Sequence, residues 1–369
     1  MCIKTETNKR AKKDTVLKQH CISLQDVYEA SRRISSMTHK TPVVTSESMN
    51  ELCGDGRSLF FKVEAFQRTG SFKFRGALNA ILSLVESKSL QEKDINVVTH
   101  SSGNHAAALS LSAKLASESN NVNIKATVVM PETAPQIKIE GVKKYGGEIF
   151  LCENTNEARE DTADRLVKEL QATFIHSSQN ENIIAGQGTT CLEFIEQVKE
   201  LARCDFDAVI IPVGGGGLVA GNTIVLRGLL GQKVKIILAE PERLDDTKRS
   251  MEAGKLLGHR VGNKLSSVAD GLKTTLGPYT WPILRDLVDD VITISEDDIL
   301  RATKLAWDQL KICIEPNAGI CVAVAMGAEF RERYPAEDGI KNIGIILSGG
   351  NTDVIKLTKQ MESIGLQTS

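Results

Sequence analysis

No apolar run in the 369-residue chain approaches the roughly 20 residues a membrane-spanning helix needs. The opening, MCIKTETNKRAKKD, is polar and basic with no apolar centre, so it does not read as a secretory signal. Residues 1–20 are expected to form a flexible extension. Charge of one sign is also missing: 45 Lys and Arg stand against 47 Asp and Glu, for a formal net charge of −2. That balance gives no footing to a nucleic-acid or membrane partner. The eight cysteines, at 2, 21, 53, 152, 191, 204, 313 and 321, form no Cys-x-x-Cys pair and no Cys/His group at zinc spacing. Reduced thiols in a cytoplasmic protein are the expected state. The chain shows no repeat of fixed period and no low-complexity linker, and a Walker loop is excluded because no Gly-Lys-Ser/Thr follows its glycines. What remains is ordinary globular composition, 41% hydrophobic and 25% charged, in a chain long enough for one large domain or two smaller ones.

Short Val/Ile-rich runs alternate with helical stretches. INVVTH (95–100) leads into SSGNHAAALSLSAKLA, and NIKATVVM (123–130) into a segment ending VKKYGG. FDAVIIPV (206–213) leads into GGGGLVAGNTIVLRGLL, KVKIILAE (233–240) into a polar stretch, and KNIGIILS (341–348) into GGNTDVIKL. Continuous apolar runs followed by helices predict an α/β fold of buried parallel strands with right-handed crossovers. The segments SSGN, GGGG, Glu240 and SGGN all fall at the carboxyl ends of these strands, where open α/β sheets bind ligands. They are expected to converge on one edge.

Gly214, Gly215, Gly216 and Gly217 follow a strand and open a helix, so their successive N–H groups and the helix dipole suit a phosphate. A tight turn is the plainer explanation, but a turn rarely needs four glycines. Gly215, Gly217 and Ala220 also satisfy the G-x-G-x-x-A dinucleotide pattern, with Glu240 where a ribose-binding acid would lie. An NAD-dependent oxidoreductase is therefore a rival. Lys73, in TGSFKFRG, sits between two phenylalanines. An amine in apolar surroundings loses preference for its charged form and suits Schiff-base formation with an aldehyde. Alone, it would read as a helix lysine with its head in solvent. Beside a phosphate cradle and Ser/Asn-rich helix entries, it points to pyridoxal 5′-phosphate. Glu240 and Asp246, with the Leu244 carbonyl between them in sequence, suit Mg²⁺ or another hard divalent ion such as Ca²⁺ or Mn²⁺; solvated acids after a strand are the commoner outcome for such pairs.

The segments SFKFRGALNA, SSGNHA, PVGGGGLVAG and LSGGN, in this order, resemble the fold-type-II pyridoxal-phosphate enzymes, in particular the serine/threonine dehydratase and serine racemase group. Similarity runs from about Ile22 to Asn351, and FQRTGSFKFRGALNAI, THSSGNH, IAGQGT and TWPILRDLVDD are closest to the racemase members. The resemblance implies two open, mostly parallel twisted sheets flanked by helices. It assigns residues 1–94 and 179–369 to a large cofactor-binding domain and 95–178 to a small one. It implies that Lys73 carries the cofactor covalently, Gly214 to Gly217 bind its phosphate, Asn104 faces the ring hydroxyl, Ser348 meets the ring nitrogen and Phe72 packs on the ring. Ser101, Ser102, Asn104 and His105 would start a helix aimed at the substrate carboxylate, although Ser and Asn are also ordinary caps. His105 is expected to orient rather than act as a base. Arg159 and Thr274 would approach the substrate.

Ser102 decides between reactions. Racemisation needs a proton removed from one face of Cα and another delivered to the opposite face. Lys73 can serve one face, and the resemblance gives the other to Ser102, where dehydratases of the group commonly have alanine. The implied activity is interconversion of L- and D-serine, with β-elimination of serine to pyruvate and ammonia. The alternative is a serine/threonine dehydratase with little racemisation; a non-catalytic amino-acid sensor would be expected to lack a competent lysine. The resemblance further implies the divalent ion at Glu240, Leu244 and Asp246, a homodimer, and ATP as an activator near Ser46, Arg68 and Thr69. Departures from the racemase pattern are Ser178 for Asn, Ala106-Ala107 for Gly-Gln, Arg68 for Lys and Thr274 for Ser. QIKIEG after PETAP counts against aspartate as substrate.

Overall fold

The computed structural model describes residues 20–88, 93–101, 103–134, 136–260 and 266–367. Ser102 and residues 1–19 of the expected extension lie outside the described residues. His20 departs from that expectation: it is tethered, with Nε2 3.1 Å from Asp286 Oδ2. None of the described helices is long and apolar enough to cross a membrane.

Ten strands are found among the described residues: β1 (Val43–Val44), β2 (Ser58–Val63), β3 (Asp94–His100), β4 (Asn123–Pro131), β5 (Glu148–Cys152), β6 (Thr173–Phe174), β7 (Ala208–Pro212), β8 (Lys235–Pro241), β9 (Asp290–Ile294) and β10 (Asn342–Leu347). They form two sheets flanked by helices, one of six strands in the order β1-β2-β10-β7-β8-β9 and one of four in the order β5-β4-β3-β6. Every pairing is parallel except the short edge strand β1 against β2. The architecture is α/β, two mostly parallel sheets flanked by helices, as expected.

β7 explains why the apolar runs do not alternate with polar residues. Val209 and Ile211 join a core containing Ile184 and Val225, while Ala208 and Ile210 join the core on the other face with Ile320 and Val324. A strand buried on both faces has no position to spare for a polar side chain. β10 lies between β2 and β7, and β8 follows β7, so SGGN, the glycine stretch and Glu240 emerge from neighbouring strands. SSGN follows β3 and belongs to the second sheet. The expected single edge is thus corrected: three polar segments come from one sheet and the fourth from the other.

The helix Lys73–Ser87 is buried from Phe74 through Leu82. Arg75, wholly buried, fastens its first turn: Nε donates to Glu64 Oε2 and Nη1 to Glu193 Oε1, both at 2.8 Å. Lys62, also buried, donates to Glu193 Oε2 at 2.9 Å and to the Thr41 carbonyl at 2.7 Å. Burial alone would disfavour these cations; the carboxylates hold Arg75 well above its ordinary range. Glu64→Ala, which strips a wholly buried cation of a partner, is expected to cost about 3–5 kcal/mol. Equilibrium urea unfolding checks this, and an unchanged midpoint would refute it.

Candidate active site

Lys73 opens its helix directly after the Arg68–Gly70 turn, whose Thr69 takes φ +62°. The backbone is pinned there: Phe72 N donates to the Ser348 carbonyl at 3.1 Å and Gly350 N to the Gly70 carbonyl at 3.0 Å. Lys73 Nζ lies 5.0 Å from the centroid of the Phe72 ring and donates to the Ser177 carbonyl at 3.2 Å. Burial pulls its ammonium down to about 8, against the opposing pull of Glu315. The lysine therefore does not reach freely into solvent.

The glycine stretch sits between β7 and the helix Gly217–Leu230. Gly216 takes φ +79°, and a Cβ there would come 2.6 Å from Leu276 Cδ2, so glycine is required on both counts. The Gly215 carbonyl is held from behind by Thr280 Oγ1 and Gln179 Nε2, each at 3.1 Å. The N–H groups of Gly214 to Gly217 have no protein acceptor among the described residues. The Ser348 hydroxyl, in a residue only 2% exposed, likewise has no protein partner among them.

Asn104 joins the two sheets. Its Nδ2 donates to Glu315 Oε1 at 2.9 Å, and its Oδ1 accepts from Asn351 Nδ2 at 2.9 Å. Asn351 Nδ2 also donates to the Thr69 carbonyl at 2.6 Å. Ser101 Oγ accepts from Gly103 N at 3.3 Å. His105 is buried, and its Nε2 donates to the Ile175 carbonyl at 3.3 Å while Nδ1 has no partner among the described residues. Burial, then the charge of Lys73, lowers its imidazole to about 3. It is a neutral ring held in place. Thr274 lies against the glycine stretch, its Cγ2 3.2 Å from where a Gly215 Cβ would sit. Arg159 lies on the helix Asn156–Glu169, its Nε donating to the Thr155 carbonyl at 3.3 Å, and its charge acts on His100.

Sequence reasoning missed three contributors. Glu315 is buried beside Asn104, and burial raises its carboxyl to about 7. His176 Nδ1 accepts the N–H groups of Ser178 and Gln179 at 3.1 and 2.9 Å, fixing the turn that presents the Ser177 carbonyl to Lys73. Gln179 ties that turn to the glycine stretch. The signal for Glu315 was present: it precedes Pro316 at a helix start, just after an apolar stretch.

Taken together, an enclosed amine of lowered basicity, a row of free backbone donors and an unpartnered serine fit a phosphorylated aldehyde with a ring nitrogen. They do not fit a dinucleotide. Glu240 turns away from the glycines, its two oxygens accepting the N–H groups of Thr247 and Lys248 at 2.7 and 2.9 Å. That leaves the ribose of the dinucleotide reading without its acid.

Glu240 and Asp246 are both buried. Burial, with repulsion from Asp246 among the lesser causes, raises the Glu240 carboxyl to about 8, and burial raises that of Asp246 to about 6. Among the described residues no group of three or more His, Cys, Asp or Glu forms a metal cage. Two buried carboxyl groups, both raised by burial, beside the turn Glu242–Leu244, nevertheless fit a hard cation completed by a carbonyl and water. Near the suggested nucleotide residues, Arg68 Nε and Thr69 Oγ1 are buried without partners among the described residues, whereas Ser46 Oγ caps a helix by accepting from Met49 N at 3.3 Å.

Residues 34–349 match the family of pyridoxal-phosphate dependent enzymes. The chain is similar to the serine racemase of Homo sapiens, at 45% identity over 93% of this chain and 96% of that protein. It is similar in structure to the serine racemase of Dictyostelium discoideum, with a TM-score of 0.80 and 42% identity over 90% of this chain and 100% of that one. The processed form of threonine deaminase isoform 2 from Solanum lycopersicum matches with a TM-score of 0.78 and 30% identity over 94% of this chain and 95% of that one.

Proposed function

The chain belongs to the pyridoxal-phosphate dependent enzymes, in the serine racemase family among them, and from that premise we propose that it interconverts L- and D-serine. It also dehydrates serine to pyruvate and ammonia. The observation that carries this reading is the Lys73 amine, largely withdrawn from water and accompanied by free glycine amides and the Ser348 hydroxyl. Bound pyridoxal phosphate supplies an electron-withdrawing ring that acidifies the Cα proton of an attached amino acid. Gly214 to Gly217 would hold its phosphate, Ser348 its ring nitrogen and Asn104 its ring hydroxyl, with Phe72 beside the ring. Lys73 would anchor it and would move the Cα proton on one side; Ser102 would move it on the other. The helix entry from Ser101 to His105, with Thr274 and Arg159, receives the substrate. The purified protein is assayed with L-serine, D-serine and L-threonine. D-serine formed from L-serine beside pyruvate is the expected result; pyruvate with no D-serine would replace this reading by a dehydratase.

The lowered basicity of Lys73 has a pH signature. Only the neutral amine attacks an aldehyde, and with a value near 8 its neutral fraction climbs through pH 8 and then levels. Uptake of pyridoxal phosphate by the apoenzyme, followed by absorbance, is expected to accelerate up to about pH 8 and flatten above it. A rate still climbing through pH 10 would mean an ordinary exposed lysine.

Glu240, the Leu244 carbonyl and Asp246 hold Mg²⁺ or a similar ion in this reading, supported by the buried carboxylate pair. Mg²⁺ at 100 times its dissociation constant would then stabilise the holoenzyme by about 2.7 kcal/mol, and Glu240→Gln would abolish the shift in thermal midpoint. ATP near Ser46, Arg68 and Thr69 is supported by the two unpartnered groups there. A small domain over 95–178, set against a large one of 1–94 and 179–369, is supported by the four strands lying between Asp94 and Phe174. A cytoplasmic homodimer completes the proposal and is testable by sedimentation.

A further inference from the structure

His259 occupies a position that neither the motifs nor the proposed chemistry accounts for. Its Nδ1 lies 3.1 Å from Asp246 Oδ1, and its Nε2 donates to the Lys273 carbonyl at 2.7 Å. One ring thus spans two segments with different duties. Asp246 opens the helix whose first N–H groups are taken by Glu240. Lys273 lies between Leu272 and Thr274, and both of these press on the glycine stretch. A Cβ on Gly214 would come 2.9 Å from Leu272 Cα, and one on Gly215 would come 3.2 Å from Thr274 Cγ2. Gly271 N is in turn tied to Asn317 Oδ1 at 2.9 Å, two residues beyond Glu315.

We propose that His259 is a positioning residue through which a cation held by Glu240 and Asp246 acts on the phosphate-binding glycines. This rests on the cation reading above. A cation drawing on the Asp246 carboxylate competes for, or reorients, the oxygen that His259 touches. The ring then changes its grip on the Lys273 carbonyl, and the 272–274 segment shifts against Gly214 and Gly215. A second physical route exists, because Val213 N donates to the Ala239 carbonyl at 3.0 Å and joins the strand of Glu240 to the start of the glycines. That route is a backbone ladder with one arrangement. The His259 contact is a side-chain bridge that can be made or broken, which is what a coupling between sites requires.

Two variants cut the bridge on opposite sides. His259→Asn places an amide nitrogen where Nδ1 is but cannot reach Lys273, whereas His259→Gln reaches toward Lys273 and gives up Asp246. Mg²⁺ is titrated into each holoenzyme, with binding read by calorimetry and the active site by the fluorescence of the bound cofactor. In the unsubstituted enzyme both signals are expected. Both variants should bind Mg²⁺ within about threefold of it, a difference under about 1 kcal/mol. Their cofactor response should fall at least about fivefold, the lower end of ordinary coupling between sites. A full cofactor response in both variants overturns the proposal. Loss of Mg²⁺ binding itself in both would also overturn it, making His259 a support of the cation site and not a link. If the unsubstituted enzyme and Glu240→Gln alike give no heat, the cation reading falls and the link with it.

Discussion

Lys73→Ala is expected to purify without the visible absorbance of bound cofactor, and to lose both D-serine and pyruvate formation by at least about 10³-fold. The size of the effect follows from two duties resting on one nitrogen. In the proposed function it is both the covalent anchor and the base for one face of Cα. Among the described residues no substitute lies close by. His105 is neutral, with its one donating nitrogen spent on Ile175, and His176 is lowered to about 4 by burial and already accepts two backbone N–H groups. Lys62 is committed to Glu193, Gln197 and Thr41. Lys73→Arg would keep a positive charge without a nucleophilic amine, and it should fail as completely. Activity within about tenfold of the unsubstituted enzyme in either variant would remove Lys73 from the chemistry.

Much of the frame was legible in the sequence because its strands are buried on both faces. A run such as AVIIP cannot be a half-exposed strand, and β7 fills both cores as its composition requires. The glycine stretch was legible for a related reason, since Gly216 adopts a backbone conformation that a side chain would strain. Contacts between distant segments were not legible. Glu315 stands before a helix-opening proline, but its partner Asn104 is 211 positions away and only the fold sets the two together. His259 looks like an isolated histidine; its partners Asp246 and Lys273 are set by loops whose paths no periodicity encodes, and the tight turn that His176 closes on itself carries no periodic signal either. The assignment of all four polar segments to one edge failed because strand-to-helix patterning does not say which sheet a strand joins. The rival dinucleotide match fails because it tests only glycine spacing and the presence of an acid, whereas the Glu240 oxygens take the first N–H groups of a helix.

Ser102→Ala is expected to separate the two reactions. Elimination from L-serine needs one proton removed, after which the β-hydroxyl leaves; racemisation needs a second group on the opposite face. The loss of that group should lower D-serine formation by about 10²–10⁴-fold while pyruvate from L-serine stays within about tenfold. Elimination from D-serine should fall with racemisation, because its proton lies on the serine's side. A hydroxyl is a weak base, so Ser102 must act with help from neighbouring groups. Ser101 Oγ accepts from Gly103 N, and Asn104 opens the following helix while bonded to Glu315. Solvent deuterium gives a readout that general damage would not imitate. In D₂O the Ser102→Ala enzyme should exchange the Cα proton of L-serine through Lys73 and return it as L-serine, labelled but not inverted. Chiral chromatography with mass detection distinguishes labelled L-serine from D-serine in one run. Equal loss of pyruvate, exchange and inversion would place Ser102 in substrate binding and leave the second face of Cα without its proton carrier.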